Sequence, residues 1–216
     1  MFTLNKDRFK EFDIRKARQF VDYWSEYYYY EIKVFDSDEV IDYLKELNLG
    51  NRITEQNAKR LLRWKDPRML TERKLSSPNK GKKNERVMRV IEKLEDINDF
   101  RFGKMSEHDF KVETNKIFPS GLIWQIFLFH IACPFKYPMA DQNVFRAFST
   151  QKQTEVPIDW YGYMHYMDYF FQVSISAGII AEKPKGNEHN IKEIVSGLKK
   201  VDNALFGFGQ FLKSYG

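Results

Sequence analysis

The sequence has a single cysteine, Cys133, among its 216 residues. An intramolecular disulfide framework is excluded, and a reducing, intracellular (cytoplasmic) setting is expected. Long hydrophobic runs are missing too. The longest covers residues 122–133, is interrupted by Gln125 and His130, and is too short to cross a bilayer, so no membrane partner is expected. The opening stretch MFTLNKDRFKEFD turns charged at once and lacks the apolar core of a secretory signal. Metal-ligand spacing is absent: His108, His165 and His189 form no pattern with Cys133. There is no P-loop, no G-x-G-x-x-G, no H-E-x-x-H, and no elbow around Ser76-Ser77. No cofactor is therefore expected.

Aromatic residues are plentiful. Nineteen Phe, twelve Tyr and four Trp supply ample surface to bury, which excludes intrinsic disorder. At this length the chain is expected to form one globular unit over residues 1–216, built as two helical lobes. Its net charge is +5, but residues 59–89 hold twelve Lys and Arg against three Asp and Glu, a net of +9, and leave −4 for the rest. One segment thus carries the whole positive excess. It is either a grip for a polyanion, nucleic acid before membrane, or a solvated basic loop.

The apolar spacing is helical nearly throughout. Asp36 with Glu39 reads as a capping box ahead of Val40, Leu44 and Leu47, with Gly50 past the end. Thr54 caps a helix burying Ala58, Leu61 and Leu62, and Pro67 stops it. Residues 71–84, TERKLSSPNKGKKN, read as a loop. Val87, Val90, Ile91 and Leu94 share one helical face. Ser106 with Asp109 is a second capping box, for a helix ending near Ile117. Residues 122–132 are apolar nearly all round, as in a fully buried helix. Asp141 caps a helix carrying Val144, Phe145 and Phe148. Residues 160–171 form a broad apolar stripe, 182–190 a polar loop, and a last helix uses Ile191, Ile194, Val195, Leu198, Val201, Leu205 and Phe208. The stretch YYYYEIKV at 27–34 fits a strand or the continuation of the preceding helix. The expected fold is all-α, with about eight to ten helices.

The informative region is 117–148. It reads as a helix, a tight turn at Phe118-Pro119-Ser120-Gly121, a buried helix, a proline-bounded linker, and then Ala140-Asp141-Gln142-Asn143-Val144-Phe145-Arg146. A carboxylate at a helix start accepts backbone N–H groups and is stabilised as the anion, so Asp141 reads first as a cap. The arrangement also resembles the core of the helix-hairpin-helix DNA glycosylase superfamily. There a hairpin of the type L-P-G-V-G-x-K precedes a buried helix and a V-D-x-H-V-x-R segment with the catalytic aspartate. The two segments align here without a gap, and residues 106–150 form the hairpin-like core of this resemblance. Residues 54–66 and 201–213 look like further segments of a diverged branch.

By this resemblance Asp141 is the catalytic carboxylate, and Asn143 and Arg146 stand near the DNA backbone. Gly121 is the one remaining hairpin glycine for a phosphate. Leu122 takes the place of the imine-forming lysine of bifunctional members, so monofunctional chemistry is implied. The lone cysteine excludes the four-cysteine iron–sulfur cluster of some relatives. The partner would be double-stranded DNA with the target base flipped out. Lys80, Lys82, Lys83, Arg86 and Arg89 would grip phosphates. Trp124, Phe127, Trp160, Tyr161 and Phe206 would supply the base pocket, in a cleft between the two lobes. The competing expectations are a catalytically inactive DNA-binding module on the same fold and a helical interaction domain in which Asp141 is only a cap.

Overall fold

A computed structural model describes residues 14–35, 41–66, 85–185 and 190–215. Among these the chain is all-helical, with ten α-helices, a short 3-10 turn at Ile14–Lys16 and no strand. It divides into two compact units, one formed by Met1–Ser37 with Phe135–Gly216 and the other by Asp38–Pro134. The segment 106–150 is thereby shared between them: the turn at 118–121 belongs to one unit and Asp141 to the other.

The Asp38–Pro134 unit starts with α2 (Tyr43–Glu46), a single turn capped by Asp42. The sequence pattern suggested a longer helix capped at Asp36, and Asp36, Glu39 and Val40 lie outside the described residues. Helix α2 ends where the sequence pattern places its end, at Leu47, followed by Asn48 and Gly50 in left-handed backbone, φ 48° and 81°, where Gly and Asn are the least strained residues. Helix α3 (Glu55–Lys65) opens on a full capping box between Thr54 and Asn57 and buries Ala58, Leu61 and Leu62. The apolar face of 87–94 is cut by Lys93 at φ −100°, ψ 17°, so α4 (Glu85–Glu92) and α5 (Leu94–Arg101) are separate helices. Helix α6 (Glu107–Ile117) is capped by Ser106. Helix α7 (Leu122–Ala132) is buried from Gln125 onward. Three rings at their junction form the core: Phe100 stacks on Phe110 at 4.2 Å, and Phe129 meets Phe110 edge-on at 4.7 Å.

Two polar side chains tie this unit together. Buried Asn98 accepts from the Ile53 N–H at 2.8 Å and donates to the Ile53 carbonyl at 3.0 Å, as a paired strand would. The Arg101 guanidinium donates to five carbonyls: Leu47 at 2.6 Å, Asn48 at 3.3 Å, Asn51 at 2.6 Å, Ile131 at 3.2 Å and Ala132 at 3.1 Å. The last two close the C-terminal end of α7, where a cation also meets the helix dipole favourably. Burial pushes the Arg101 pKa down to about 10, so the side chain stays charged at neutral pH. Arg101→Met removes the donors but keeps most of the stem. It is expected to destabilise the protein by about 2 kcal/mol, because several carbonyls lose partners together. Urea unfolding monitored by tryptophan fluorescence checks this.

In the other unit, α1 (Ala17–Phe35) is helical through the YYYYEIKV stretch. Ala17, Val21 and Trp24 are buried at helical spacing on the face that packs along α10 (Ile191–Tyr215), and the helix continues unbroken to Phe35, which settles the helix–strand ambiguity. Trp24 contacts Phe208 at 5.2 Å and Phe211 at 5.1 Å. Helix α8 (Gln142–Lys152) is capped by Asp141 and buries Val144, Phe145, Ala147 and Phe148. Helix α9 (Trp160–Ser176) is capped by Asp159 and buries Tyr163, Tyr166, Met167, Phe170 and Phe171. No helix among the described residues is long and apolar enough to cross a membrane.

Candidate functional site

Asp141 is held in place by the start of α8. It is half-buried, and its Oδ1 accepts from the backbone N–H groups of Asn143 at 2.8 Å and Val144 at 3.0 Å. The linker leading to it is pinned from α9. Tyr163 Oη donates to the Pro138 carbonyl at 2.8 Å and Tyr166 Oη to the Met139 carbonyl at 3.1 Å. Both tyrosines are fully buried, and burial first, then nearby negative charge from Asp202 and Asp141, holds the Tyr166 phenol well above its usual range. The Tyr166 hydroxyl therefore stays protonated as a donor. Residues 138–141 are thus held from both ends, by α9 at the linker and by α8 at the cap.

Helix α8 in turn is clamped to α10. Gly209 lies so close to Asn143 that a Cβ on it would meet the Asn143 carbonyl oxygen at 2.0 Å. Arg146 Nη1 donates to Asn143 Oδ1 at 2.8 Å and to the Gly209 carbonyl at 3.2 Å. Asn143 and Arg146, expected near a DNA backbone, thus also make internal bonds that join α8 to α10.

Three groups that sequence reasoning passed over meet where α1 packs along α10. On α10, Lys199 has a side chain only 13% exposed; its ammonium donates to Asp202 Oδ2 and to Asn203 Oδ1, both at 2.6 Å. It also lies 4.9 Å from the centroid of the Tyr28 ring on α1. Burial works against the Lys199 charge, but Asp202, Tyr28 and Asp141 more than offset it, so its pKa is raised. The Tyr28 phenol is raised by burial first; Lys199 pulls it down, while Asp202 and Asp141 push it up. The signal in the sequence was a charged pair three residues apart, flanked by the core positions Leu198 and Val201 of an otherwise apolar helix face.

The other expected site residues are scattered. Phe206 is half-buried and meets Tyr28 edge-on at 5.0 Å, in the same neighbourhood as Lys199. Trp160 packs edge-on against Tyr163 at 5.7 Å. Tyr161 is 69% exposed, with His165 beside it at 4.4 Å. In the Asp38–Pro134 unit Phe127 is wholly buried, and half-buried Trp124 stacks on Phe118 at 5.6 Å. Gly121 caps α7 at φ −110°, a conformation open to any residue, with 3.2 Å from a would-be Cβ to that of Phe118. Arg86 and Arg89 are exposed, one turn apart on α4. Lys80, Lys82 and Lys83 lie outside the described residues, as does the whole of 71–84.

His130 is buried and hydrogen-bonded with Tyr43. Among the described residues no group of three or more His, Cys, Asp and Glu side chains could hold a metal ion. No protein-family model, no curated protein and no solved structure matches the chain.

Proposed function

We propose that the chain is a DNA glycosylase-like protein that hydrolyses the N-glycosidic bond of a damaged or modified base, either in repair or in defence against modified foreign DNA. The observation that carries this reading is the fixed, half-buried carboxylate of Asp141 at the start of α8. Base excision passes through a cationic sugar, and a carboxylate already held in place stabilises that charge without reorganising. The flipped base needs a π-face to stack on, which Phe206 or Tyr28 supplies. The hairpin-like core over 106–150 belongs to the same proposal. Leu122 following the turn favours monofunctional hydrolysis, since leucine offers no amine for an imine.

A panel of duplexes, each with one modified base, incubated with the protein and then treated with alkali, tests the reading. Strand scission at the modified base supports it. Binding without scission on any duplex favours the second reading, a non-catalytic DNA-binding module. The ordinary backbone at Gly121 and the internal bonds of Asn143 and Arg146 speak for that alternative.

Both readings assign the phosphate grip to Lys80, Lys82, Lys83, Arg86 and Arg89. Five phosphate contacts imply a log–log salt slope of about −4.5, or roughly 500-fold weaker binding at 200 mM than at 50 mM salt. Replacing Arg86 and Arg89 together by Gln is expected to reduce the slope by about 2, measured by fluorescence anisotropy across a salt series.

A further inference from the structure

Tyr166 of α9 touches the chain on both sides of Asp141. Ahead of Asp141, its hydroxyl donates to the Met139 carbonyl at 3.1 Å. Beyond Asp141, its ring meets two rings of α8, with 6.1 Å between centroids to Phe145 and 5.9 Å to Phe148. Tyr163, one turn earlier on α9, donates to the Pro138 carbonyl at 2.8 Å, and its ring lies 6.2 Å from that of Tyr166. Side chains three apart share a helix face, so one face of α9 grips two successive carbonyls of the linker. Both tyrosines are fully buried, and Pro138, Met139 and Ala140 are buried with them.

A tyrosine that only filled the core would leave its hydroxyl without work. Here each hydroxyl satisfies a buried carbonyl, and a buried carbonyl without a donor is costly. The hydroxyls therefore fix where the linker lies, and the Tyr166 ring fixes α8 relative to it. Asp141 is the joint between the two: its backbone follows the gripped linker, and its Oδ1 accepts from the first N–H groups of α8.

We propose that Tyr166, with Tyr163, is a positioning residue of the candidate site: the pair sets how the linker enters α8, and thereby where the Asp141 carboxylate stands. The proposal rests on the base-excision reading above. A carboxylate stabilises a cationic sugar only from the right place, and neither hydroxyl need touch DNA or the reacting atoms.

Tyr166→Phe keeps the ring and removes only the donor. It is expected to lower kcat about 10-fold with KM changed by less than about 3-fold, and Tyr163→Phe with Tyr166→Phe to lower kcat about 100-fold. Ser174→Ala separates this from lost stability. Its buried hydroxyl lies on the same helix but donates within it, to the Phe170 carbonyl at 2.8 Å, and both constants are expected to stay within about 2-fold of the wild type. All variants are compared at a temperature where thermal unfolding shows them folded; where the double variant does not fold, Tyr166→Phe carries the test. Wild-type kcat in the tyrosine variants, or an equal loss in Ser174→Ala, overturns the proposal.

A second measurement needs no excision. Amide hydrogen exchange is followed by NMR at Asn143 and Val144, whose N–H groups bond to Asp141. In the tyrosine variants these two amides are expected to exchange about 10-fold faster relative to amides in the middle of α9; an unchanged ratio overturns the proposal. If the wild type excises no base from any duplex, the base-excision reading fails, and the exchange still decides whether the two tyrosines hold the Asp141 cap in place.

Discussion

Asp141→Asn is expected to slow base excision by ~10³-fold while leaving thermal stability within a few tenths of a kcal/mol of the wild type. The two effects separate because the proposed reading gives Asp141 two jobs that need different things. As a cap it needs only an oxygen, which accepts from the Asn143 and Val144 N–H groups, and asparagine is as good a cap as aspartate. As a catalytic group it needs the negative charge, which asparagine lacks. Single-turnover alkali-cleavage assays and thermal unfolding on one preparation check both halves. Asp141→Ala, by contrast, removes the cap as well and adds a loss of about 1 kcal/mol. A variant Asp141→Asn that excises at the wild-type rate removes Asp141 from the chemistry.

Gly209→Ala is expected to cost about 4 kcal/mol, the largest stability effect of any single methyl addition in this unit that involves the α8–α10 clamp. A Cβ there would sit 2.0 Å from the Asn143 carbonyl oxygen and 2.5 Å from its carbon. Both are backbone atoms, so no rotamer change relieves the overlap; α8 and α10 must move apart. That movement also breaks the Arg146 contact to the Gly209 carbonyl and shifts the start of α8, where Asp141 sits. Denaturant unfolding checks the stability. Excision falls with it if the reading above holds, even at temperatures where the variant is folded, because displacement by about 1 Å is enough to cost 10²-fold in rate. An alanine variant as stable as the wild type would mean that the two helices do not pack this closely.

Local sequence signals transferred well where one short-range rule decided the outcome. Thr54, Ser106 and Asp141 cap the helices whose starts they announced, because a cap depends on residues within one turn. The apolar stretch at 122–132 is a buried helix as its hydrophobicity on all sides implied. The signals failed where two local rules competed. At 36–50 the apolar spacing argued for a helix capped at Asp36, but the described helix opens only at its Asp42 cap, six residues later. At 87–94 the spacing was continuous, yet Lys93 divides it.

The candidate site shows the same boundary. Asp141 was legible because its capping role and its place after a turn and a buried helix are properties of neighbouring residues. Phe206, Trp160 and Tyr161 were chosen as aromatics on the right segments, and nothing local distinguishes a ring in the core from one beside a site. Lys199, Asp202 and Tyr28 carry no local signal, as their meaning lies in who faces them: Tyr28 and Lys199 are 171 positions apart in the chain, and only packing of α1 along α10 places the ammonium over the ring.

The sequence by itself determined the helical class, the starts of α3, α6 and α8, the uneven charge and the carboxylate at the head of α8. Each of these follows from periodicity, capping or composition, which act over a few residues. Tertiary structure decided the rest: that the turn at 118–121 and Asp141 fall in different compact units, that Arg146 is tied to Gly209, and that Lys199, paired with Asp202, lies over the Tyr28 ring. Charge interactions extend through space without regard to chain order, and the order of residues alone does not say which of them will meet.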